Sequence, residues 1–266
     1  MSQNQQPKKA IHLSDRRMIR VAGPDAEKFL QDIITNDMRR LTDGGLLYAC
    51  LLTPQGQYLH DFFIFKDGDS FVVDTEAART DDLLRRMNIF KLRAKVEFSE
   101  TDLKVYSSPD GKRDPRHPTL DGRHYTVETL DAYEVYVYHV LCIALGIPCG
   151  SLAIRSEKET MSEVNLDLLN AVAWDKGCFI GQEVAARMHN KSIAKRRLFI
   201  LIGENLAFGA KLMHGDIEAG EVRQSSHDGA TALAVIKVPS AAQPLTCNGA
   251  TVTVVVPDYL KLPSAP

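Results

Sequence analysis

The residues best suited to chemistry lie together in Lys176–Arg197, KGCFIGQEVAARMHNKSIAKRR. Cys178 stands between Gly177 and Gly181, which permit backbone conformations and close approaches that a side chain forbids. Phe179 and Ile180 anchor the loop inward, and Gln182-Glu183 opens a helix continued by Ala185, Ala186, Met188 and His189. A thiol just ahead of a helix N-terminus and next to Lys176 has a setting that favours the thiolate, the form that exchanges with disulfides and binds metals. Cys178 equally suits the part of a small buried hydrophobe, as most free cysteines do. Downstream, Arg187, His189, Lys191, Lys195, Arg196 and Arg197 form a dense basic segment. It suits an anion such as a phosphate or carboxylate, or a solvated linker. Arg187, one helical turn from Glu183, can pair with it and still reach an anion.

A chain of 266 residues is long for one core, so one large or two to three small domains are expected. With 44% hydrophobic and 25% charged residues the composition is that of an ordinary globular protein. The net charge of −2 gives no global electrostatic case for nucleic-acid or membrane binding. The longest apolar runs, such as 46–52, fall far short of a bilayer span. The five cysteines (Cys50, Cys142, Cys149, Cys178 and Cys247) are scattered and odd in number, without C-x-x-C spacing. That argues against a disulfide framework and a self-contained zinc or four-cysteine cluster site. No stably bound metal is expected, and a reducing cytoplasm is the simplest location. Residues 1–10 lack an apolar signal core and read as a disordered tail.

The elements that must hold the cysteine loop follow from pattern. Ala26, Phe29, Leu30, Ile33 and Ile34 recur at i, i+3, i+4, i+7 and i+8, one apolar face of a helix. Runs 46–52, 58–65 and 71–73, joined by Thr53-Pro54-Gln55-Gly56-Gln57 and Lys66-Asp67-Gly68-Asp69, read as a three-strand meander. A helix is expected over 82–87, strands over 94–98, 104–106 and 124–127, and a loop over 107–123. A third helix is expected over 131–145, stopped by Gly146 and Pro148. Ser162 is placed to cap a fourth, carrying Leu166, Leu169 and Val172 into the cysteine loop. After Arg197, strand-like runs at 198–202, 220–222, 232–238 and 251–256 suggest a small antiparallel barrel or sandwich.

The run KGCFIGQE resembles the K-G-C-[FY]-x-G-Q-E signature of the YgfZ/IBA57 family. These folate-binding proteins are similar to the glycine-cleavage T-protein, an aminomethyltransferase, and serve iron–sulfur cluster assembly or repair. FLQDIITND (Phe29 to Asp37), LLTPQG (Leu51 to Gly56), KLRAKVEF (Lys91 to Phe98) and the Gly146-Ile147-Pro148 turn resemble family segments in the same order, so the likeness spans roughly Val21 to Val238. It implies an α+β, aminomethyltransferase-like region of two interleaved subdomains over residues 11–195. A C-terminal antiparallel β-barrel follows over residues 196–266. It further implies tetrahydrofolate or a derivative as cofactor, with contacts at Asn36, Asp61, Glu163, Lys176, Gln182, Glu183 and Arg187, and Cys178 as the working thiol at the pocket mouth.

Three departures from the family pattern stand out. His60 occupies the place of the first of two acids used by the T-protein, leaving Asp61. Leu141 to Leu145 lacks an arginine the family often carries before Gly146. Met161-Ser162 replaces a Pro-Gln before Glu163. The implied function is a folate-binding factor that assembles or repairs iron–sulfur clusters in client enzymes, including tRNA-modifying ones, rather than a conventional enzyme. The alternative is a tetrahydrofolate-dependent aminomethyl or methyl transferase. Expected partners are folate and iron–sulfur client or assembly proteins, with direct tRNA binding not favoured, no membrane contact and a monomeric state.

Overall fold

A computed structural model describes residues 9–190 and 194–262. Residues 1–8 of the expected tail, Lys191 of the basic segment and residues 263–266 lie outside the described residues. Chain order is β1 (Ala10–His12), β2 (Arg16–Ala22), α1 (Ala26–Ile33), β3 (Leu47–Leu52), β4 (Tyr58–Asp67), β5 (Ser70–Glu76), α2 (Thr80–Lys91), β6 (Glu97–Glu100), β7 (Lys104–Ser108) and β8 (Gly122–Thr126). Then come β9 (Ala132–Tyr133), α3 (Val135–Ala144), α4 (Gln182–Asn190), β10 (Arg196–Ile202), β11 (Lys211–His214), β12 (Ile217–Ser225), β13 (Thr231–Lys237), β14 (Leu245–Cys247) and β15 (Ala250–Val255). Ala10, assigned by sequence to the tail, is thus the first residue of a strand.

The chain divides into two compact units, each drawn from several segments. The first takes in residues up to Leu51, His60–Tyr138 and Asn170–Phe179. The second takes in Leu52–Leu59, His139–Leu169 and the described residues from Ile180 onward.

In the first unit the expected meander is the β3-β4-β5 half of a sheet ordered β3-β4-β5-β2-β6. A second sheet is ordered β8-β7-β1-β9. Helix α1 forms where the 3.6-residue period predicts it and buries Ala26, Phe29, Leu30 and Ile33. Burying each of its large apolar side chains is worth about 1.5–3 kcal/mol.

Three local readings give way to the structure. The strand expected over 94–98 begins only at Glu97, because Leu92 has φ 48° and the turn after α2 takes Ala94 N–H to Lys91. Helix α3 starts at Val135, since Ala132 and Tyr133 pair in parallel with β1. The helix expected after Ser162 is two short 3-10 turns, Ser162–Val164 and Leu166–Leu168, separated by Asn165 at φ 62°. Asn165 tolerates that left-handed conformation better than most residues. Its amide spans Leu198, donating to the carbonyl and accepting from the N–H, which a continuous helix would not allow.

In the second unit six strands close an antiparallel barrel in the order β10-β13-β12-β11-β14-β15. All four strand-like runs read from the sequence are members. β11 and β14 are additional, too short and polar to show a period-2 pattern. The seam closes where Ile200, Leu201 and Ile202 face Val255, Val254 and Thr253. The interior holds Phe199, Leu201, Leu212, Val222, Ala234 and Ile236, each fully buried. Among the described residues no helix is long and apolar enough to cross a membrane.

Candidate functional site

The signature is held from both sides by specific contacts. Lys176 is buried, and its ammonium donates to the carbonyls of Gln31 (2.7 Å), Ile34 (2.8 Å) and Asn36 (2.8 Å). These carbonyls lie at the C-terminal end of α1 and just beyond it, where a helix leaves acceptors unsatisfied. Burial pushes the Lys176 ammonium down to about 8, against the opposing pull of Asp37 and Asp32. With its three protons given to backbone, Lys176 fixes the approach to the loop. This is different work from the folate contact and electrostatic partner suggested by sequence. Phe179 is buried two positions before Gly181, and between Lys176 and Phe179 the Cys178 side chain is exposed. Helix α4 begins at Gln182, so the thiol precedes it by four residues instead of sitting at its cap.

On the other side, Gly181 adopts φ +82°, and a Cβ there would lie 2.5 Å from the Thr53 carbonyl oxygen and 3.1 Å from Gly56 Cα. The LLTPQG turn and the signature therefore meet glycine to glycine. Gly181→Ala is expected to cost about 2 kcal/mol or more, combining left-handed strain with a clash against backbone. Gly177→Ala, whose Cβ would meet nothing within 4 Å, is expected to be near neutral. Denaturant midpoints of the two variants test the contrast, and equal midpoints would refute it.

The remaining residues named from sequence fall into two groups. In the first unit Asn36 is buried, donating to the carbonyls of Tyr48 and Asn170 and accepting from Asp37 N–H. Asp61 is buried and accepts from the Tyr48 hydroxyl at 2.9 Å. Asn170 also lines a cavity of about 620 Å³ bordered by Gly44, Gly45, Arg113, Arg116 and His117. That volume lies within the range of small-ligand sites. Asn36 stands one contact behind this cavity, through Asn170, and Asp61 two, through Tyr48, over whose ring the lining residue Arg116 lies at 5.4 Å.

In the second unit Glu163 accepts from Thr160 N–H and from Arg196 at 2.9 Å, and its turn packs against α4. Gln182 is half-buried, while Glu183 and Arg187 are exposed. Among the described residues Glu183 and Arg187 form no ion pair with each other, as expected of solvated charges that gain little from pairing. Arg197 bonds Asp167 at 2.7 Å and the Ser162 carbonyl. Arg196 and Arg197 of the basic segment are therefore structural ties.

Sequence reading missed a buried charge cluster in the first unit. Arg123 donates to Asp74 at 2.7 Å, stacks 3.7 Å from the Phe63 ring centroid and reaches Asp114 at 3.5 Å. Arg16 also bonds Asp74, at 2.8 Å, and Tyr125 gives Asp74 a further hydrogen bond. Arg116 pairs with Asp114 at 2.8 Å and bonds Tyr138. Burial works against all these charges, and their mutual attraction holds Arg123 well above and Asp114 below their ordinary ranges. The available signal was the loop Asp114-Pro115-Arg116-His117, whose charges carry no periodicity.

His60, buried, contacts Asp82 at 2.9 Å. Burial, with Arg79 beside it, pushes the imidazole down to about 4 against the pull of the Asp82 carboxylate. The unfolded chain binds this proton near 6.5 and the folded one only near 4, so stability falls as pH drops through that window. His60→Gln is expected to remove up to ~3 kcal/mol of that acid lability. Urea unfolding at several pH values between 7 and 4 checks it, and a slope matching the parent would refute it.

Residues 9–106 match the GCVT N-terminal domain, and residues 195–262 match the CAF17 C-terminal beta-barrel domain. The solved glycine cleavage system aminomethyltransferase T of Bartonella henselae superposes with a TM-score of 0.73 over 94% of this chain and 86% of that one. At 14% identity this likeness shows the fold. The chain is thus of the mixed α+β, aminomethyltransferase-like class with a closed C-terminal barrel.

Among relatives is the "Iron-sulfur cluster assembly factor IBA57 homolog, mitochondrial" of Pyricularia oryzae, 30% identical over 70% of this chain and 55% of the relative. Its counterpart in Chaetomium globosum is 29% identical over 89% and 65%, and the human factor is 26% identical over 71% and 65%. The chain thus combines a GCVT N-terminal domain with a CAF17-type C-terminal barrel and resembles IBA57 factors, spanning between about half and two thirds of these relatives' length. All three relatives are named mitochondrial, which overturns the cytoplasmic expectation. The cysteine spacing that suggested a reducing environment does not say which compartment provides it.

Proposed function

We propose that this chain is an iron–sulfur cluster assembly or repair factor that binds folate and works through the Cys178 thiol. The observation that carries the reading is the exposure of Cys178 on a loop pinned at both ends, by buried Lys176 and Phe179 and by Gly181. A thiolate is the protein ligand of choice for iron–sulfur clusters and the nucleophile of thiol exchange. The names of the relatives support the assembly role, and their mitochondrial setting is the proposed location. Client enzymes that modify tRNA rest on the family resemblance alone.

The first-unit cavity has the volume of a small-ligand site. Beside Asp43 and the paired Asp114 and Arg116 it offers Arg113 and His117 to carboxylates, and a two-glycine rim at Gly44-Gly45 that lets a flat ring approach the backbone. A folate held there would supply a one-carbon carrier. This chain's part would be to bind the carboxylates and orient the ring through the Asn36–Asn170 and Asp61–Tyr48 pairs behind the wall. The transferase alternative is weakened by His60, which sits buried against Asp82 instead of supplying a second acid.

The test is complementation of a strain lacking its own member of the family, with an iron–sulfur client activity as readout and tetrahydrofolate binding measured on the purified protein. Restored client activity together with saturable binding supports the reading. One-carbon turnover with tetrahydrofolate, without client rescue, would replace it with the transferase.

A further inference from the structure

A second groove lies on the outer face of the barrel unit, with a volume of about 310 Å³. Arg155, Lys158, Arg196, Lys211, Arg223 and Lys237 line it, against the carboxylates of Glu159, Glu218 and Glu221. Even with Glu163 counted as the partner of Arg196, the cations outnumber the anions by two. Lys158 and Lys237 are the exposed members of that surplus, and Lys237 rests its ammonium on the Glu218 backbone carbonyl at 2.6 Å.

The floor is built differently from an ordinary solvated charge patch. The β12–β13 pairing slips between Val222 and Gln224, so that Arg223 is the extra residue of a β-bulge. Bulges re-aim a side chain and recur beside functional sites. Here the bulged residue is an arginine only 3% exposed. Two of its nitrogens face the Glu221 and Glu159 carboxylates, while its Nε has no hydrogen-bond partner. Buried polar atoms are nearly always satisfied, so an orphan on a groove floor marks an incomplete arrangement. Arg155 and Lys211 bracket Glu221 at 2.5 and 2.8 Å, and Lys211 also bonds Glu218 at 3.0 Å, so the carboxylates hold a ring of cations around the groove.

We propose that this groove is a binding site for a small phosphate-bearing ligand, a phosphate monoester or diphosphate. Arginine forks and lysine ammonium groups recognise phosphate oxygens, and a groove of this volume admits a diphosphate with part of the group it esterifies. The site lies wholly within the second unit, and the proposal does not rest on the folate or thiol reading.

The experiment titrates inorganic pyrophosphate and ATP into the intact protein by calorimetry at two salt concentrations, with sodium acetate as control. Saturable one-to-one binding of pyrophosphate, weakened at least tenfold in Lys158→Gln/Lys237→Gln, is the expected result. Both of those lysines are exposed, so the double variant should keep the parent's unfolding midpoint. Arg223→Met should also abolish binding, but it takes from buried Glu159 one of its two cations, so the double lysine variant carries the decision. Binding no stronger than that of acetate, or unchanged in the double variant, would overturn the proposal. Affinity appearing only with a long single-stranded oligonucleotide, and growing with its length, would also overturn it in favour of a nucleic-acid surface.

Discussion

Arg123→Ala should unfold the first unit at a cost of about 3–5 kcal/mol, among the largest effects available to a single substitution in this chain. Arg123 is buried among Asp74, Asp114 and Tyr138 and lies flat on Phe63. Removing it strands Asp74 with only Arg16 and Tyr125, and takes from Asp114 its second cation, leaving Arg116. Two buried carboxylates with too little positive charge between them are what makes breaking such a cluster expensive, whatever the net worth of the intact pairs. The lost stacking on Phe63 adds to it. Denaturant unfolding with Arg187→Ala as the exposed control measures the difference, and the control should shift by less than about 0.5 kcal/mol. A loss below about 1 kcal/mol for Arg123→Ala would mean that the cluster relaxes or admits water.

Cys178→Ser should have the opposite profile, leaving stability unchanged while abolishing rescue of an iron–sulfur client. The side chain is exposed, so replacing sulfur by oxygen empties no cavity. Serine has neither the thiolate's nucleophilicity nor its affinity for iron. Selective alkylation supplies the chemical half of the test. Cys50, Cys142 and Cys247 are buried, and burial pushes the Cys50 and Cys247 thiols up, which slows them further. Cys178 should therefore label at least tenfold faster than any of these three. Equal labelling, or full rescue by the serine variant, would leave the loop a structural element.

How much of this was legible depended on whether the signal was local. The α1 face, the meander and four barrel strands announce themselves through periods of 3.6 and 2 residues, and the structure has them. The segment after Ser162 misleads because Leu166, Leu169 and Val172 keep helical spacing while Asn165 turns left-handed to serve Leu198. That partner lies 33 residues away, beyond any window. The Asp74 cluster is hidden for the same reason, since Arg16 and Arg123 come to it from 58 and 49 residues off. At the site, glycine and cysteine in register pointed to the loop. They did not reveal that Lys176 faces the end of α1, because a lysine's role is set by which acceptors the fold leaves open. The groove on the barrel was unreadable in turn, since its floor depends on a pairing slip that leaves no mark in composition.

The seam that closes the barrel also has a consequence in time. β10 opens the barrel segment, but one of its two neighbours, β15, is the last of the six barrel strands in chain order. Until Thr253 to Val255 emerge, Ile200 to Ile202 present an unpaired apolar edge, the kind of surface that seeds association between nascent chains. The first unit takes in no residue beyond Phe179, so all of it has been synthesised before the roughly 60 residues of barrel from Arg196 to Val255 are added, over several seconds at typical elongation rates. The long wait falls on β10, whose exposed edge is guarded meanwhile only by Arg196 and Arg197 at its start, charges of the sort that discourage edge-to-edge pairing.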